Sequence, residues 1–314
     1  MMRAVILALL VITGGLSGCL GITDDEFTYD STLDTPGWEV GDWWLYTFVT
    51  PEFGEDSARL VIAEKDEANS NWMLAISSER EAQRHAVINH NPFLGRVTFD
   101  SLSVFENGDP QSVFNFPWNK GDTWKFTLFA EDWNAQTSFV NGDVATVNAQ
   151  SNGGHTLNYW FDSSRGFITS LEWIDDTGVT RLKMILNDNG RNHDGQVWFI
   201  RATDLKDELY ESADGDIYDS FLDSGHPSGV DFDFLVWYLD VDISGGGGSG
   251  TLSLKDHAGA TPLARAWGSN SRESGSIGTI PSNTGEYSLT ITLNGQDSYI
   301  HLKVAGGIQT TWVL

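Results

Sequence analysis

Short stretches in which apolar and polar positions alternate recur from residue 43 to the end of the chain. Segments 43–49, 58–63, 72–77, 96–99, 124–129, 144–148, 156–161, 167–174 and 181–186 are rich in Val, Ile, Thr, Phe, Tyr or Trp. Gly, Asn, Asp or Pro bounds each one. That combination predicts strands joined by turns. Trp124-Lys125-Phe126-Thr127-Leu128 alternates as a sheet with one wet face does, and Asn107-Gly108 and Asn141-Gly142 suit tight antiparallel connections. Only residues 204–213 suggest a helix, a short one with Leu205 and Leu209 on one face. After a polar stretch at 187–195, strand signals return at 232–243, 251–254, 263–267, 285–293, 299–304 and 309–313. Segment 197–202 could close the first set or open the second. The Gly/Ser run at 244–250 lies between alternating flanks, so it is expected to be a mobile hairpin loop inside one domain rather than an interdomain linker.

One motif occurs twice. Trp38-x-x-Gly41-Asp42-x-Trp44 matches Trp118-x-x-Gly121-Asp122-x-Trp124, eighty positions on. Gly permits positive φ and Asp can bond its own backbone, so the pair predicts a turn that launches a strand, with the aromatics beyond it entering the core. It is expected to be structural rather than a sugar-stacking platform, with Trp124 buried.

The chain begins Met1-Met2-Arg3, continues with an apolar run through Ile12, and reaches Leu16-Ser17-Gly18-Cys19. A basic start, a short apolar core and small residues before a cleavage point have the layout of a secretory signal. The run is shorter than the roughly twenty residues a spanning helix needs. Leu-Ser-Gly-Cys resembles the lipobox of prokaryotic lipoproteins, bacterial or archaeal. The resemblance implies cleavage after Gly18, a lipid on Cys19, and anchorage to the outer face of a membrane. Cys19 is the single cysteine, which excludes an internal disulfide and a cysteine metal cage.

Phe116-Pro117-Trp118, Gly121-Asp122-x-Trp124, Trp160 to Ile168 and Asp175-Asp176-x-Gly178 together resemble a pattern in uncharacterised prokaryotic surface lipoproteins. Over 34–186 the resemblance implies a strongly curved antiparallel sheet, similar to the lipoprotein-carrier half-barrel, and it implies no catalytic residues. Thr284 to Ile291 resembles the penultimate strands of jelly-roll-like accessory modules. The expected architecture is therefore all-β: a leader at 1–18, a lipidated tether at 19–36, a curved antiparallel sheet or half-barrel at 37–203, and a jelly-roll-like β-sandwich at 204–314.

A net charge of −26 argues against nucleic acid and anionic membrane surfaces as partners. Carboxylates crowd residues 204–242 against one lysine, Lys206. Asp214-Gly215-Asp216 with Asp219 offers a candidate calcium site, since calcium prefers several oxygen ligands, although the full calcium-loop spacing and its closing Glu are lacking. A solvated acidic surface is the plainer reading.

Motifs for zinc hydrolases, serine hydrolases, phosphate loops and dinucleotide sites are missing from the sequence. His85 and His90 are five apart beside Asn89 and Asn91. That spacing does not fit one face of a strand, so a water-satisfied loop is expected there rather than a metal site. Three functions remain: a lipid-anchored binding or accessory protein without catalysis, a carrier of apolar molecules, and a secreted hydrolase. The first is preferred, with its ligand open.

Overall fold

The computed structural model describes residues 32–212 and 216–314. Gly18, Cys19 and Asp214 lie outside them. The first half contains β1 (Trp43–Thr50), β2 (Gly54–Asp66), β3 (Asn71–Ile76), α1 (Glu79–Ile88), β4 (Gly95–Thr98), β5 (Val104–Glu106) and β6 (Asp109–Gln111). It continues with β7 (Thr123–Leu128), β8 (Glu131–Asn141), β9 (Val144–Ser151), β10 (Thr156–Asp162), β11 (Phe167–Ile174) and β12 (Thr180–Gly190). All pairings are antiparallel, and nine strands run β3-β2-β1-β12-β11-β10-β9-β8-β7. The sheet bends around a core of its own aromatics, among them Trp44, Tyr46, Phe93, Phe114, Trp118, Phe161 and Phe167, all buried.

The repeated motif forms the same turn twice. Gly41 and Gly121 have φ of +90° and +92°. Asp42 Oδ2 accepts from Glu39 N at 3.0 Å, and Asp122 Oδ2 accepts from Asn119 N at 3.0 Å. Each glycine N–H then donates across to the neighbouring strand, Gly41 to Ile62 O and Gly121 to Thr137 O. The copies differ beyond the turn. Trp44 is 2% exposed, whereas Trp124 is only partly buried and donates to Ser112 O at 2.8 Å. The expected burial of Trp124 is thus corrected, because it stands on the edge strand β7 with the sheet on one side only. Within the tether expected to run to residue 36, Leu33 already belongs to the folded body, buried and paired with Trp118.

The second half contains β13 (Gln196–Glu211), β14 (Asp216–Asp223), β15 (Phe234–Ile243), β16 (Ser249–Lys255), β17 (Leu263–Trp267), β18 (Ser271–Pro281), β19 (Gly285–Asn294) and β20 (Tyr299–Val313). Four of these run β18-β15-β20-β13 at the end of the large sheet, and four run β14-β19-β16-β17 in a second sheet. Counting the eight in chain order, the layers are 6-3-8-1 and 2-7-4-5, the interleaving of a jelly roll. Leu239, Val241, Leu252, Leu254, Leu289, Ile291 and Leu302 fill the space between them. Among the described residues the fold is all-β apart from α1.

Three expectations change here. The boundary at 203/204 falls inside β13, which pairs with β20 from Gln196↔Val313 to Glu211↔Tyr299, so 197–202 opens the jelly roll. The helix expected at 204–213 is the end of that strand. Leu205 and Leu209 sit four apart as on a helix, but a bulge between Asp204 and Lys206 and pairing to β20 override the local pattern. The glycine run at 244–250 joins β15 to β16, which lie in different sheets, so it is a crossover and not a hairpin.

Both halves belong to one compact unit. The first meets the second through one strand pairing, Trp198 with Ile76, and through α1, which packs on β13, β15 and β20. Val87 and Ile88 of the helix bury against Val236, Tyr238 and Ala305. Ser78 caps the helix N-terminus by accepting from Glu81 N, and Asn89 ends it in the left-handed conformation.

Candidate functional site

Strand β7 ends in a two-residue turn, Phe129-Ala130, with φ of +56° and +57°. A tight hairpin turn of this hand normally takes Asn-Gly. Two consecutive L residues there each cost on the order of 1–2 kcal/mol. Ala130 N donates to Glu106 Oε1 at 2.9 Å, which helps hold the turn. The conformation presents Phe129 flat against Trp173 of β11, with ring centroids 4.6 Å apart and planes 4° apart. Strand β8 stands three places from β11, roughly 14 Å in a flat sheet at about 4.8 Å per strand. The contact is therefore a direct consequence of the sheet's curvature.

This stacked pair borders a cleft of about 430 Å³. Phe53, His90, His155 and Arg181 are among its other walls. Trp173 Nε1 is buried without a hydrogen-bond partner, an indole donor that a buried tryptophan normally satisfies. Asp175 holds the adjoining turn: its carboxylate accepts from Thr177 Oγ1, Thr177 N, Val179 N and Arg181 Nε. The Thr177 hydroxyl first, then the backbone N–H groups and Arg181, keep its pKa well below the usual carboxylate range.

Behind the cleft lies a buried polar cluster, where the sequence pattern suggests a wet loop. His85 sits in the last turn of α1, and the left-handed Asn89 folds His90 back onto it, with ring centroids 4.5 Å apart. Spacing of five, wrong for a strand, thus works across a helix end. Both rings are buried and stand edge-on to Phe48, and none of their four nitrogens has a partner. Burial, then the Arg84 charge, lowers the His85 pKa to about 3, and burial, then His85, holds His90 well below its usual value. Asp56 Oδ2 is 3.7 Å from His85 Nε2 and accepts from Arg84 Nε at 2.7 Å. Glu81 lies against Asp56, and its burial, then that neighbour, pushes its pKa up to about 7.

Groups with the makings of a metal site therefore exist among the described residues: Asp56 with His85 and His90, and Glu52 with Asp207 and His301. The acidic set singled out in the sequence is not one of them. Asp216 and Asp219 are three apart on β14 and face opposite sides of its sheet. Asp216 accepts from Thr292, and Asp219 is taken by Lys206 and Tyr210. The motif residues Trp38, Trp44 and Trp118 are in the core, away from this cleft. No described helix is long and apolar enough to cross a membrane.

No family model matches the chain, and no curated protein matches it. Among solved structures, it is similar to an exo-β-1,3-galactanase from Phanerochaete chrysosporium at 8% identity and a TM-score of 0.19, covering 79% of this chain and 64% of that one. Latent PorU from Porphyromonas gingivalis gives 12% and 0.24, with coverage of 85% and 24%. Infectious bursal disease virus, strain Gx, gives 9% and 0.20, with coverage of 89% and 74%. Overlap this low carries no chemistry across, and the fold stands on the strand pairing alone.

Proposed function

We propose that this is an exported protein, held on the outer face of a membrane by a lipid on Cys19, that binds a ligand without catalysis. The observation that carries the binding reading is the strained Phe129-Ala130 turn, which places Phe129 on Trp173 beside an unpartnered indole N–H. Backbone strain of this kind persists where the surroundings enforce it, and it clusters at ligand sites. A flat apolar wall with a few convergent polar groups suits a small polar ligand with one apolar face, such as a sugar ring. Of the three carboxylates that line the cleft, Glu52, Asp175 and Asp176, Asp175 is committed to its turn. The carrier reading has less support, because the concave face of the sheet is packed with the chain's own aromatics. Calcium at Asp214, Asp216 and Asp219 is not part of this proposal, because Asp216 and Asp219 point to opposite faces. Nucleic acid is not expected as a partner at this net charge.

Calorimetric titration of the full chain in detergent with a panel of neutral oligosaccharides tests the cleft. Binding should appear and should be lost in Trp173→Ala with the fold intact; heat that is unchanged in that variant would exclude the cleft as the binding site. For the anchor, Cys19→Ala should abolish labelling by a lipid probe and release the protein from membranes. Retention of that variant at high salt would point instead to an uncleaved leader, and continued labelling by the lipid probe would contradict lipidation at Cys19.

A further inference from the structure

We infer that Asp56, His85 and His90 bind one divalent transition-metal ion of the zinc type, with the Glu81 carboxylate able to complete the set. The fold brings these groups together from two directions. The β1–β2 hairpin supplies Asp56 near the start of β2, while α1 supplies Glu81 and His85, and the residue after its cap supplies His90. One ligand atom from each of Asp56, His85 and His90 already lies within 4.8 Å of the other two. Zinc with bonds of about 2.0–2.1 Å needs neighbouring ligand atoms roughly 3.4 Å apart in a tetrahedron. From the present separations that is a closure of at most about 1.4 Å between ligand atoms.

Two further observations point to a cation. Four buried imidazole nitrogens without partners are costly to leave so, because buried polar groups in folded proteins are almost always bonded. Each ring has one lone pair to give, and in this pocket no donor meets it. Glu81 Oε2 is likewise buried and unpartnered, although the side chain lies against the Asp56 carboxylate. One carboxylate and two imidazoles converge there, with Glu81 against the carboxylate, and a cation gives them a common partner. Arg84 does not fill that place. Only its Nε reaches Asp56, and its other nitrogens turn away to Gly275 O at 3.2 Å and Phe53 O at 3.0 Å.

The donor set selects the metal. Two imidazoles with carboxylate oxygen suit zinc and its first-row neighbours, whereas calcium and magnesium take oxygen alone. The second group, Glu52, Asp207 and His301, is the weaker competitor. Asp207 and Glu52 are exposed there, and Asp207 is already bonded by Lys303 and by His301 at 2.8 Å. An ion at the first site would tie α1 to the β1–β2 hairpin. Because α1 is the packing bridge between the curved sheet and the jelly roll, the metal would brace their junction. The proposal does not rest on the sugar-ring reading, although His90 also forms part of the cleft wall.

The test uses the full chain in detergent, stripped with a chelator and titrated with zinc sulfate, with cobalt(II) absorption as a second readout. One ion per chain should bind, the melting midpoint should rise with zinc, and cobalt should give the intense visible bands of a four-coordinate site. Loss of a ligand by mutation should exceed the roughly 10–100-fold loss that outlying partners of a ligand cause. Thus His90→Gln and Asp56→Asn should each weaken binding more than that, while His301→Gln should bind as the wild type does. Where His85→Gln does not fold, His90→Gln decides, since it lies beyond the helix. No stoichiometric uptake by the stripped wild type would overturn the proposal. So would binding that survives both His90→Gln and Asp56→Asn, or binding that is lost in His301→Gln instead.

Discussion

Phe129, in the turn that ends β7, and Trp173 of β11 stack at 4.6 Å although three other strands separate β7 from β11 in the sheet. The approach needs both the curvature of the sheet and a turn that Phe and Ala adopt only under constraint. Curvature is set by the core, since Trp118, Phe161 and Phe167 pull the strands around themselves. The turn is set locally and works against stability.

Ala130→Gly should therefore stabilise the protein. Glycine relieves a positive φ worth about 1–2 kcal/mol, less roughly 0.5–1 kcal/mol of added chain entropy. The melting midpoint should rise slightly with ligand binding unchanged. Phe129→Asn should also suit the turn, but it removes the stacked ring, so stability should hold while binding falls. A drop in the midpoint for both variants would show that the turn is not strained.

The two Gly-Asp turns should respond alike to loss of the carboxylate and differently to loss of the tryptophan. Asp42→Ala and Asp122→Ala each remove a carboxylate-to-backbone hydrogen bond and should cost on the order of 1–3 kcal/mol in urea unfolding. Trp44→Ala, in the core, should cost about 3–5 kcal/mol. Trp124→Ala, half-covered on an edge strand, should cost roughly 1–2 kcal/mol. Equal costs for the two tryptophans would contradict the difference in their burial.

Much of the fold is legible in the sequence, for reasons the structure makes plain. The turns at Gly41 and Gly121 depend on residues within four positions of each other, so the repeat announces them. Strands such as β16 and β19 alternate cleanly because one face meets the core. Strand β8 escapes the pattern, although Trp133, Ala135 and Thr137 alternate inward, because Thr137 hides the period and the adjacent Phe139 and Val140 break it. Helix α1 is short and its buried residues are Ala82, His85 and Ala86 with Val87 and Ile88 bunched at the end, which gives no clear period. The histidine pair and the Phe129–Trp173 stack are products of three-dimensional closure. The one local sign of the pair is the spacing of five around Asn89, a residue that readily ends a helix in the left-handed region.

Asp175 gives the region an acid sensitivity. Its folded pKa lies below the unfolded value, so the turn's contribution is present above about pH 4. It is lost as pH falls through that value toward the lower folded one. In urea unfolding followed from pH 6 to pH 2, Asp175→Asn should be the less stable protein at pH 6, and its deficit should shrink toward pH 2. A deficit that stays constant with pH would mean the carboxylate's charge is not what stabilises the turn.

Ligand binding at Trp173 is the central claim, and fluorine resonance tests it most directly. The chain has 13 tryptophans, and incorporation of 5-fluorotryptophan gives each its own fluorine line. The line absent from the Trp173→Phe spectrum identifies the site residue. Addition of the neutral oligosaccharide panel should shift that line while those of the core residues Trp38, Trp44 and Trp118 stay in place. A ligand that binds while the Trp173 line does not move, shifting the Trp124 line or none, would contradict the claim.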